Sequence, residues 1–126
     1  MRRLHLLVGI LAVLAFLITG QIMRHHEPLM SALSAETRLM LRSRHIYILA
    51  GGLVNLMLGI YVQQRHGWRG VMQDIGSAFL VLSPALLIAA FAVEPAVGFR
   101  REMWWSTIGL YTLFGGAMLH LTTITK

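Results

Sequence analysis

The sequence predicts an all-α integral membrane protein, a four-helix bundle with short loops and one longer loop that carries an interfacial helical extension. Three observations lead there. Of 126 residues, 56% are apolar and 13% charged, about half the charged share of an average soluble domain. Four runs, residues 4–23, 46–62, 75–93 and 103–121, contain no Asp, Glu, Lys or Arg and are seventeen to twenty residues long, close to the roughly 20 residues that cross a hydrocarbon core about 30 Å thick. None of the runs alternates as a barrel strand would, and in lipid a helix satisfies its own backbone. The runs occupy most of the chain, which leaves a single transmembrane domain, 1–126, and no soluble one.

The first run follows Met1-Arg2-Arg3, a start that also suits a signal peptide. Ile18-Thr19-Gly20 makes a poor cleavage site and the run exceeds a typical signal h-region, so it is expected to stay as a helix. Residues 24–44 begin Arg-His-His-Glu-Pro, and Pro28 discourages continuation of that helix. Ser34 then reads as an N-cap with Glu36 in the first turn. Nothing breaks a helix over residues 35–62, 28 residues or about 42 Å at helical rise. Such an element overhangs the bilayer and places Arg38 and Arg42 on one face. Residues 64–72 read as a loop. In the third run Pro84 predicts a kink as a packing accommodation, and Glu94, just before Pro95, reads as an interfacial cap or a partner of Arg100 or Arg101. Trp104 and Trp105 open the fourth run and Tyr61 closes the second, as interfacial anchors.

Charge and composition exclude several classes. The chain has no cysteine, hence no disulfide, thiolate metal site or cysteine nucleophile. The net charge is +6, which in so apolar a chain points to lipid phosphates and not to nucleic acid. With four spans, Arg2, Arg3, Arg65, Arg69 and Lys126 share one side, and Arg24, Arg38, Arg42, Arg44, Arg100 and Arg101 the other. The positive-inside count is nearly tied, which admits dual topology. Arg2 and Arg3 beside the first span favour cytoplasmic termini. Size and span number suit a bacterial inner, or plasma, membrane.

Small and polar residues at heptad or four-residue spacing mark helix contact faces in membranes. The first stripe runs His5, Ala12, Thr19, with Gly9 and Gly20 nearby; the second His45, Gly52, Asn55, Gly59, Gln63. The third is Gly76, Ser83, Ala90, and the fourth Gly109, Gly116, Thr123, joined by His120.

Six histidines are the main chemical feature. His5 and His120 fall at similar depth on one side; His25, His26 and His45 fall at the other. Imidazoles opposed across helices are what b-type haem needs, with the glycines making room for the macrocycle. The second group also admits Zn or Cu through imidazole, and Asn55 with His45 admits a quinone. The plainer reading keeps these histidines at the interface, with Arg44 beside phosphate. Motifs of soluble hydrolases, metalloproteases and phosphate-binding loops are missing, and every acid lies outside the four runs, which weighs against proton-coupled transport. The leading expectation is therefore a non-catalytic accessory or assembly subunit of a membrane complex, or a homo-oligomer. A haem b or quinone electron-transfer protein comes second and a transporter or channel subunit third.

Overall fold

A computed structural model describes residues 1–25, 29–97 and 103–124. It is an all-α bundle of four helices: α1 (Arg2–Arg24), α2 (Ala35–Tyr61), α3 (Trp68–Val97) and α4 (Trp104–Ile124), with one 3-10 turn, Met30–Ala32, between α1 and α2. Among the described residues, α1, α2 and α3 are each long and apolar enough to cross a membrane. Helices α1 and α2 pack as one hairpin and α3 and α4 as another, and the two hairpins meet along α2 and α3.

The ends of the elements follow local chemistry. Ser34 caps α2, its Oγ accepting the Thr37 N–H at 3.2 Å, and Glu36 sits in the first turn. As the uninterrupted helical pattern predicts, α2 runs through to Tyr61. The stretch read as a loop over residues 64–72 is shorter than expected, because α3 begins at Trp68. Gly67 adopts a φ of 67°, which a side chain would resist. Gln73 then ties the turn down, accepting the Arg65 N–H at 2.9 Å and donating to the Gln63 carbonyl at 2.8 Å. At its other end α3 continues through Pro84 and Pro95 to Val97, four residues past the uncharged run, so Glu94 lies inside the helix.

Lipid-like exposure surrounds a thin core. Leu7, Leu11, Leu14 and Ile18 on α1, with Leu53 and Met57 on α2, face outward, the pattern of a chain whose solvent is hydrocarbon. Inside, Leu41, Ile48, Leu87 and Phe91 form an apolar cluster between α2 and α3, with Phe16 and Leu110 packed against it. Met40, Leu80, Leu113, Ala12 and Ala90 are also buried, and the rest of the described interior is largely glycine and polar side chains.

Candidate functional site

The buried polar residues gather at two levels of the bundle. The first lies toward the α2–α3 turn and draws one group from each helix. Asn55, fully buried on α2, donates through Nδ2 to the Gly51 carbonyl at 2.9 Å and to the Leu80 carbonyl of α3 at 2.7 Å. With both amide hydrogens committed, its Oδ1 faces His5 Nδ1 at 2.7 Å, so Nδ1 carries the proton. On α3 the Leu80 carbonyl is the one that Pro84, lacking an N–H, leaves without its helical partner. Ser83 Oγ donates to the same oxygen at 3.1 Å.

His5 Nε2 is consequently a lone pair, and it is buried with no partner among the described residues. His120 of α4 stands beside it, ring centroids 6.2 Å apart and planes at 76°. The His120 Nε2 is 3.1 Å from Ser77 Oγ on α3. A cavity of about 280 Å³ lined by Gln63, Arg65, Gln73 and Thr123 reaches His120.

The second level lies at the far end. Arg44 of α2 and Glu94 of α3 form a buried ion pair, Nε to Oε2 at 2.8 Å, with side chains 7% and 4% exposed. The guanidinium also donates to Ser43 Oγ at 2.9 Å and Ser106 Oγ at 3.3 Å, and reaches Met103 Sδ at 2.7 Å. The second carboxylate oxygen accepts the Ser106 N–H at 2.8 Å. That amide is in the first turn of α4, so Glu94 caps α4 from α3, where a carboxylate also complements the helix dipole. The sequence reads Glu94 as an interfacial cap or a partner of Arg100 or Arg101, which lie outside the described residues; among the described residues it caps α4 and pairs with Arg44, fifty positions earlier.

His45 belongs to this end. Its Nδ1 is 2.9 Å from Thr19 Oγ1 and its ring stacks on Phe16 at 4.0 Å. Thr19 also donates to the Phe16 carbonyl at 3.0 Å, so it accepts from His45. His25 lies at the exposed end of α1, its Nδ1 3.0 Å from the Gln21 carbonyl, and His26 is outside the described residues. Among the described residues no three His, Asp or Glu side chains converge to hold a metal ion.

The glycines of the stripes lie at helix contacts. A Cβ on Gly9 would meet Leu56 at 2.7 Å, on Gly59 Leu6 at 2.6 Å, on Gly52 Ala12 at 3.1 Å and on Gly20 His45 at 3.2 Å. Across the other hairpin, a Cβ on Gly76 would meet the Gly116 carbonyl at 3.0 Å, on Gly116 Leu80 at 2.7 Å and on Gly109 Leu87 at 2.8 Å. Within each hairpin, the space beside these glycines is filled by the facing helix. Spacing alone does not mark Gly51, where a Cβ would meet Pro84 at 3.3 Å, nor Ser77, Gln73 and Ser106.

No family model, no curated protein and no solved structure matches the chain.

Proposed function

We propose that this chain is a non-catalytic accessory subunit of a membrane complex, that all four helices span a bacterial plasma membrane with Arg2 and Arg3 on the cytoplasmic side, and that it docks a helix of another subunit through the outer face of α4. The observation that carries this reading is Tyr111. It is 74% exposed, seven residues and so about 10 Å below Trp104 along the helix, and has no hydrogen bond to the described residues. A phenol is comfortable at the interface but has nothing to bond in hydrocarbon. One turn above it is exposed Thr107, and one turn below is Gly115, whose Cβ position meets only Phe79 at 3.9 Å. The outer face of α1, by contrast, is aliphatic, as a lipid-facing helix should be. A partner helix that supplies a hydrogen bond to Tyr111 and packs closely over Thr107 and Gly115 resolves the difference.

Photo-crosslinking in native membranes tests this. A benzoylphenylalanine at position 111 should give one discrete adduct with another polypeptide, lost when Thr107 and Gly115 are changed to leucine, while the same probe at Leu14 labels lipid. Lipid labelling at both positions removes the accessory reading, and an adduct with a second copy of the chain replaces it with a homo-oligomer.

A further inference from the structure

Two adjoining cavities lie at the Arg44 end, beside the Thr19–His45 contact. The larger, about 680 Å³, is an apolar cleft between α1, α2 and α3, bounded by Ala15, Ile22, Leu41, Ile88, Phe91 and Ala92. The smaller, about 440 Å³, lies under the 3-10 turn and is lined by Arg24, Arg42 and Ser31. Met23 lines both. Arg24 and Arg42 are exposed, and neither pairs with a carboxylate among the described residues.

We infer that this pair of cavities is a binding site for an anionic phospholipid, its phosphate between Arg24 and Arg42 and one acyl chain passing Met23 into the cleft. Three features converge on that ligand. Its tail matches a cleft whose walls are almost wholly aliphatic and aromatic, of the size that ordinarily takes a small hydrophobic ligand. The two guanidiniums, without a carboxylate partner among the described residues, sit where that tail would emerge, Arg24 in the last turn of α1 and Arg42 on α2, and basic pockets between membrane helices favour anionic heads. Met23, flexible and apolar, can yield at the junction without loss of a specific contact. A neutral hydrophobic ligand would leave the arginines unused, and a free phosphate would leave the cleft unused.

Native mass spectrometry of the full chain, delipidated in detergent and titrated with dioleoylphosphatidylglycerol or dioleoylphosphatidylcholine, tests the assignment. The expected result is one phosphatidylglycerol per chain, preferred about tenfold or more over phosphatidylcholine, as two basic residues near a headgroup imply. Arg24→Gln with Arg42→Gln should abolish the preference without lowering the melting temperature, since both side chains are exposed. Ala92→Trp should fill the cleft and weaken retention of either lipid. Equal retention of the two lipids by the unaltered chain, or a preference that survives loss of both arginines, overturns the site. Displacement of phosphatidylglycerol by inorganic phosphate alone, with Ala92→Trp without effect, would mean that the arginines bind a free anion and the cleft plays no part.

Discussion

Asn55 donates to the Leu80 carbonyl at 2.7 Å, the carbonyl that Pro84 strips of its helical donor. A proline inside a membrane helix exposes an acceptor that lipid cannot satisfy, and here a neighbouring helix supplies the missing hydrogen. The same amide then fixes the tautomer of His5 through its oxygen. One asparagine thus joins α1, α2 and α3.

This link makes a coupled prediction. Asn55→Leu leaves His5 Nδ1 without its partner and the Leu80 carbonyl with the Ser83 hydroxyl alone, and should destabilise the bundle by about 1–3 kcal/mol. Pro84→Ala restores an N–H to Leu80. In thermal unfolding in detergent, the double variant Asn55→Leu, Pro84→Ala should therefore lose less than the sum of the single losses. Strict additivity would show that Asn55 does not serve the proline.

The Arg44–Glu94 pair should behave as a buried ion pair whose halves depend on each other. Glu94→Ala or Arg44→Ala leaves an uncompensated buried charge and should cost about 3–5 kcal/mol, whereas Arg44→Met with Glu94→Leu should cost far less. Glu94→Gln keeps an acceptor for the Ser106 N–H and is expected to fall between. If the charge-free double variant unfolds as early as the single variants, Coulomb pairing is not what the two residues contribute.

Legibility in the sequence followed physical range. His5, Gly9, Ala12 and Thr19 share one face of α1 by spacing alone, and all four are buried, because helical period acts within a few residues. The Ser34 cap is equally local. Arg44 and Glu94 meet across fifty positions, and nothing in spacing distinguishes that pairing from one with Arg100 or Arg101. The start of α3 at Trp68 depends on Gln73 bonding back to the turn, again a contact that hydropathy does not encode. One signal was readable and unused: Pro84 guarantees a bare carbonyl at Leu80, and Asn55 is the uncharged amide within a neighbouring run best able to meet it.

Close approach at the glycines predicts a graded response. Gly59→Ala puts a Cβ against the Leu6 backbone nitrogen as well as its side chain, where the chain cannot yield cheaply, and should cost about 1–3 kcal/mol. Gly115→Ala, with only Phe79 at 3.9 Å, should leave the isolated chain's stability unchanged. Melting temperatures of the two variants in detergent check this, and equal losses would show that the α1–α2 contact is no tighter than the outer side of α4.

The last prediction concerns His5 and His120. Their ring centroids are 6.2 Å apart, yet His5 Nδ1 is already engaged by Asn55 and His120 Nε2 by Ser77. Macrocycle binding would require the α1–α2 and α3–α4 hairpins to separate, giving up the Asn55 bond to Leu80. The protein purified after expression with ample haem is therefore expected to show no Soret band from a bis-imidazole site. His5→Phe should instead reveal the structural role of the imidazole: it removes the donor to Asn55 Oδ1 and also the unpartnered Nε2, so its cost should be smaller than that of Asn55→Leu. A Soret band lost in both His5→Ala and His120→Ala would falsify the close-packed arrangement and return these histidines to haem ligation.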